Sequence, residues 1–199
     1  MINVFAHSAH GARIGAQLDH GNDRVANDVA LARGEEMHHI SRGCAQGHHF
    51  GSGRRRVHEP KPWVGGHFGF VDDAIDRAAA AFGGLDTLIN NAGVGKFVSV
   101  EEMNDADWHQ VIDTNLTGVF YATRAAIPHL KRAGGGWIIN IASLAGRNYF
   151  ANAGAYCASK AGPVALSEAT MLELRNDNIR VSCVMPGSVA TEFSHPAKH

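Results

Sequence analysis

Residues 136–143 read "GWIINIAS", a short and nearly unbroken apolar run that opens on glycine and closes on serine. A run of this length without polar alternation predicts a strand buried in a parallel sheet. Its neighbours support that reading. Residues 105–136, "DADWHQVIDTNLTGVFYATRAAIPHLKRAGGG", have an acidic start at Asp105 and Asp107, apolar positions at helical spacing and a stop at Gly134–Gly136, with a kink expected at Pro128. Tyr156 to Arg175 predicts another helix, and "IRVSCVMPG", 179–187, a strand closed by a Pro-Gly turn. Upstream, "VDDAIDRAAAAF", 71–82, predicts an alanine-rich helix, and "GGLDTLINNAG", 83–93, a short strand after a Gly-Gly break. Strands alternating with helices of this length imply an α/β fold with a parallel sheet covered on both faces.

The chain has 199 residues, 45% of them hydrophobic, enough for one core and a single domain spanning 1–199. A net charge of −1 offers no footprint for nucleic acid and, beyond Arg54, Arg55 and Arg56, no basic patch for a membrane surface. The apolar runs fall short of the roughly 18 residues that cross a bilayer, and "MINVFAHSAH" does not read as a signal peptide. Three cysteines, Cys44, Cys157 and Cys183, without a CxxC argue against a disulfide framework, so a reduced, cytoplasmic protein is expected. Composition therefore favours small-molecule chemistry.

That chemistry has a focus in "AYCASKAG", 155–162, where Tyr156 and Lys160 stand four apart. On a helix, residues i and i+4 share a face. An ammonium about 4 Å from a phenol, at an effective dielectric of about 20, favours the phenolate by roughly 4 kcal/mol. The plainer alternative is a surface tyrosine beside a surface lysine. Ser143, 13 residues before Tyr156, ends the apolar strand, where the carboxyl ends of parallel strands form a ligand crevice. Asn115 places an amide inside a helix, where burial demands partners. "NNAG", 90–93, and "PG", 186–187, end two other strands.

Taken in order, Asn90 to Gly93, Asn115, Ser143, Tyr156 with Lys160, Pro186, Gly187 and Thr191 resemble the short-chain dehydrogenase/reductase family over residues 70–193. The resemblance implies a Rossmann-like, doubly wound parallel sheet and an oxidoreductase moving a hydride between NAD or NADP and a secondary alcohol or ketone. It implies catalytic roles for Asn115, Ser143, Tyr156 and Lys160. Tyr156 would be the general acid or base, and Lys160 would favour the phenolate and hold the nicotinamide ribose. Ser143 would bond the substrate oxygen, and Asn115 would hold a water that relays protons to Lys160. Asn91, Ala92 and Gly93 would line the adenosine side; Pro186, Gly187, Val189 and Thr191 would cradle the nicotinamide. For a complete chain it implies a homo-oligomer. Val94, Phe97, Leu144, Tyr149 and Phe150 suggest an apolar substrate pocket with Arg147 nearby, either greeting an acidic substrate or simply solvated.

The chain departs from that pattern before residue 70. The expected TGxxxGxG turn, whose helix N-terminus binds pyrophosphate, has only "HGARIGAQ" as a candidate, with Gly11 and Gly15 correctly separated but His10 and Gln17 in place of threonine and glycine. The residue that would select between NAD and NADP after the second strand is not located in the sequence, so the choice between them is open. "INVFA" reads as a first strand and "VANDVALARGEEM", 25–37, as a helix. Nine of the 13 histidines fall in residues 1–67. Normal length with such composition suggests a shifted reading frame in a GC-rich gene across codons 7–67. A metal site at His39, Cys44 and His48 is the competing account, but the spacing matches no finger pattern and no metal is expected. Pro163 should bend the last helix or free the Ser159 carbonyl. The sheet is expected to be incomplete at the C-terminal end, leaving "IRVSCV" as an apolar edge and the cofactor weakly held. The alternative to an enzyme is a remnant with weak or no cofactor binding.

Overall fold

The computed structural model describes residues 2–7, 13–18, 31–33, 36–38, 69–189 and 193. The chain-order elements begin with β1 (Ile2–His7) and β2 (Arg13–Leu18), an antiparallel pair, then β3 (Leu31–Arg33) and β4 (Glu36–His38), a second such pair. There follow α1 (Gly69–Phe82), β5 (Thr87–Asn90), α2 (Asp105–Ile112), a π turn (Asp113–Thr117), α3 (Gly118–Arg132) and β6 (Gly136–Ile141). A 3-10 turn (Leu144–Gly146), α4 (Gly154–Leu174) and β7 (Ile179–Val184) complete the order.

β5, β6 and β7 form a parallel sheet in the order β5-β6-β7, with Ile138 opposite both Leu88 and Val181. This is the parallel α/β architecture expected of "GWIINIAS", and every element predicted after residue 70 is present. Leu88, Asn90, Ile138 and Asn140 are buried, at period two on one face of the sheet. α1, α3 and α4 converge on this face, packing Val71, Ile75, Leu130 and Leu174 into the same cluster as Leu88 and Ile138. Among the described residues the opposite face is only half-covered. Trp137 is 40% exposed there and carries the Arg180 guanidinium 5.0 Å from its ring centre.

The connection from α3 to β6 shows why three glycines were needed. Gly134, at φ +82°, follows the last helical turn; its N–H reaches the Lys131 carbonyl and that of Gly135 reaches Leu130. These paired bonds terminate a helix with a left-handed residue that glycine adopts without steric cost. α3 runs through Pro128 to Arg132, and the chain adopts a π turn just before it, at residues 113–117. There the Gly118 N–H bonds the Asp113 carbonyl five residues back.

Two expectations are corrected. Leu31–Arg33 and Glu36–Met37, expected within a helix, belong to strands β3 and β4, with Arg33 opposite Glu36. In sequence the residues between them are Gly34 and Glu35, a Gly-X pair characteristic of a two-residue hairpin connection and poor in a helix interior. Gly15, expected at a phosphate-binding helix start, lies inside β2 opposite Phe5 of β1. Successive N–H groups of a strand point alternately to either side, so this backbone does not gather donors on one anion. "INVFA" is a strand as predicted. Gly11, His39, Cys44, His48 and Thr191 lie outside the described residues.

Candidate active site

α4 has an unusual inner face. Its buried residues include Tyr156, Ser159, Lys160, Pro163, Ser167 and Thr170, spaced three and four apart, so a helix stripe that normally carries apolar residues carries hydroxyls and an ammonium. Such groups are tolerated under cover only when satisfied, and among the described residues no buried side-chain donor or acceptor is left without a partner.

Lys160 is 5% exposed and donates from Nζ to the Ile141 carbonyl at 3.0 Å, at the carboxyl end of β6. Burial pushes its ammonium down from 10.5 to about 8, with the nearby Cys183 acting in the opposite direction. Gly93 closes over the same nitrogen: a Cβ there would stand 3.2 Å from Nζ and 3.6 Å from Asn115 Oδ1. Any larger residue at 93 would push the lysine or the loop aside.

Asn115, 1% exposed, projects from the π turn. Its Nδ2 donates to the Val94 carbonyl at 2.9 Å and to Ser159 Oγ at 2.8 Å, while Oδ1 accepts from the Val94 N–H at 2.8 Å. The amide thus grips one loop residue from both sides, which fixes its orientation. Both of its donor hydrogens are committed, so only a spare lone pair on Oδ1 remains for a water.

Tyr156 packs its ring against Phe97 at 5.4 Å and Phe193 at 5.9 Å, and Phe97 in turn stacks on Phe150 at 6.2 Å. This gives the tyrosine an aromatic wall. Ser143 caps the 3-10 turn, its hydroxyl accepting from the Ala145 N–H at 3.1 Å and keeping its own proton to donate. The turn is seated on α4, since a Cβ on Gly146 would come within 2.6 Å of the Lys160 carbonyl. The loop after β7 joins the rim: Leu144 N–H bonds the Pro186 carbonyl at 3.0 Å, and Gly187 faces Leu144.

The structure therefore gathers Gly93, Asn115, Ser143, Tyr156, Lys160 and Pro186 at the carboxyl ends of β5, β6 and β7. Asn91 is exposed and Ala92 buried on the same loop, and Val189 is exposed beyond β7. Arg147 pairs with Glu168 at 2.9 Å, both more than half exposed, so it follows the solvated reading. Pro163, inside α4 and buried, lacks an N–H and leaves the Ser159 carbonyl without its i+4 donor.

Sequence reasoning missed a buried polar chain. Asn90 Nδ2 bonds Asn140 Oδ1 at 2.7 Å and Thr123 Oγ1 at 3.2 Å; Asn140 Nδ2 bonds Ser167 Oγ at 2.8 Å, which donates to the Pro163 carbonyl at 2.6 Å. The lone Asn140 inside "WIINIAS" was the available signal, because an amide in an apolar strand needs a partner.

The family model described as short chain dehydrogenase matches residues 67–199, beginning where the helix-strand alternation begins. The trans-4-hydroxycyclohexanecarboxylate dehydrogenase of Sinomonas cyclohexanicum is 45% identical over 61% of this chain and 46% of its own. The 3-alpha-(or 20-beta)-hydroxysteroid dehydrogenase of Mycobacterium tuberculosis strain H37Rv is 34% identical over 98% of this chain and 72% of its own. A crystal structure of a putative short-chain alcohol dehydrogenase from Sinorhizobium meliloti superposes with a TM-score of 0.63 at 32% identity, over 66% of this chain and 52% of that one. The chain thus spans about half the length of the first and third of these relatives.

Proposed function

The chain belongs to the short-chain dehydrogenase family, and on that premise we propose that it is an NAD(P)-dependent oxidoreductase of secondary alcohols and their ketones, with Tyr156 as general acid or base. The observation that carries this reading is the burial of Lys160 one helical turn from Tyr156, with Gly93 closed over its ammonium. A buried lysine is costly, and a site that retains one has use for its charge.

The cradle suits a nicotinamide nucleotide. Ribose hydroxyls would meet the Lys160 ammonium at the edge of the Gly93 loop that covers it, and the backbone of Pro186 and Gly187 would flank the ring. When bound, the nicotinamide supplies or accepts the hydride. The chain's own residues handle the oxygen. Ser143 donates its free hydroxyl proton to the substrate oxygen. Tyr156 gives its phenolic proton to that oxygen in reduction and takes it back in oxidation. Lys160 stabilises the phenolate electrostatically.

Phe97, Phe150 and Phe193 around Tyr156 favour an apolar carbon skeleton over a charged one. The relatives named for cyclohexane and steroid alcohols make alicyclic secondary alcohols the first substrates to try.

The test is turnover of alicyclic alcohols and ketones with both nucleotides, in the wild type and in Tyr156→Phe. The variant loses the proton and keeps the ring, so turnover should drop by about 10²- to 10⁴-fold while nucleotide affinity holds. Retention of more than about a tenth of the activity removes Tyr156 from the chemistry. The placement of Gly15 in β2 favours a second reading, a remnant without useful nucleotide binding. Only under that reading does neither NADH nor NADPH raise the melting temperature.

A further inference from the structure

Ser159 lies between the two residues that define the site and is itself fully buried, at 0% exposure. Its hydroxyl has one proton and donates it to the Tyr156 carbonyl at 2.8 Å; it accepts the Asn115 Nδ2–H at 2.8 Å. The direction of both bonds is fixed, because Asn115 must turn Oδ1 to the Val94 N–H and Nδ2 to the Val94 carbonyl. A continuous chain therefore runs from Val94 through Asn115 and Ser159 to the helix backbone at Tyr156. Gly93, next to Val94, is the residue closed over Lys160 Nζ.

We propose that Ser159 is a positioning residue whose hydroxyl clamps the Asn115 amide, and through it the Gly93–Val94 loop, over the Lys160 ammonium. This rests on the assignment of Lys160 to the reactive site, but its test does not require turnover. With the clamp in place the loop keeps water from Nζ. Without it, Asn115 loses one of its two donor contacts, the loop lifts and the ammonium is rehydrated. The titratable group bearing on Lys160 among the described residues is Cys183 on β7, and Tyr156 stands one helical turn before it on α4. β6, the π turn and the loop bring only uncharged groups, from Ile141, Asn115 and Gly93.

The experiment follows the Cε resonance of Lys160 by NMR in the ¹³C-lysine-labelled chain, assigned with Lys160→Arg, as pH is raised. Ser159→Ala should move the Lys160 midpoint upward from about 8 toward 10.5, by about one unit. Ser167→Ala is the matched control: it removes another buried α4 hydroxyl, bonded to Asn140 and Pro163, and should lower the melting temperature without moving the midpoint. If Ser159→Ala does not fold, Ser159→Cys weakens both bonds at similar volume and should move the midpoint in the same direction. An unchanged midpoint in whichever Ser159 variant folds, or an equal shift in Ser167→Ala, overturns the proposal. A wild-type chain without dehydrogenase activity would end the functional reading, yet the titration would still decide this one.

Discussion

At the scale of single residues, burial of the Lys160 ammonium shapes how stability depends on pH. Its folded value of about 8 lies below the 10.5 of an unfolded lysine. Between these values the unfolded chain holds a proton that the folded chain has released, so stability rises with pH across that window. Below about pH 8 the buried ammonium costs its full desolvation penalty, on the order of 3 kcal/mol. The prediction is a difference curve: wild-type stability in urea minus that of Lys160→Met should climb between pH 8 and 10.5. A flat difference would mean that Lys160 is hydrated in the folded chain. Under the proposed function the same residue carries a compromise, since the charge that would stabilise a phenolate is held where water cannot offset its cost.

At the scale of elements, the site depends on two turns seated against α4. The 3-10 turn after Ser143 approaches so closely that a Cβ on Gly146 would meet the Lys160 carbonyl carbon at 2.9 Å and its oxygen at 2.6 Å. Neither atom belongs to a flexible side chain. Gly146→Ala should therefore force the turn away from the helix and cost about 1–3 kcal/mol in chemical denaturation, by overpacking. Gly69→Ala, with nothing within 4 Å of the added methyl, should be close to neutral. Much of this level was legible in the sequence. The strands "TLIN", "GWIINI" and "IRVSCV" and the helices between them follow from apolar periodicity and glycine breaks, which are local. The π turn was not legible, because Asn115 finds its partners 21 residues before it at Val94 and 44 residues after it at Ser159. The Ser159 side chain was not legible either, since nothing local in "AYCASKAG" distinguishes a spacer between Tyr156 and Lys160 from a hydrogen-bonding partner of Asn115. β3 and β4 were misread because alanine and leucine suit a helix while Gly34 outweighs them as a turn signal.

At the scale of the whole molecule, the two sides of the proposed nucleotide site are unequally built. The side proposed for nicotinamide rests on three hydrogen-bonded parallel strands whose carboxyl ends converge on Lys160, Ser143 and Pro186. The opposite side has β1 lying alongside β5 but paired antiparallel with β2, and β2 holds the Gly15 on which a phosphate turn would have depended. A strand does not focus several N–H groups and a helix dipole on one anion, as a glycine turn opening a helix does. Pyrophosphate would therefore contribute little to affinity. The expected outcome is a dissociation constant no better than about 100 μM for NADH or NADPH, so that 1 mM nucleotide stabilises the chain by about 1.4 kcal/mol at most. Fluorescence titration of the reduced nucleotides measures the first quantity and thermal unfolding with and without ligand the second. Reduced nicotinamide mononucleotide, which lacks the adenosine half, should bind within about tenfold of the dinucleotide, a difference of roughly 1.4 kcal/mol. A dinucleotide bound at low micromolar concentration, with the mononucleotide far weaker, would show that the first 67 residues supply a working phosphate site.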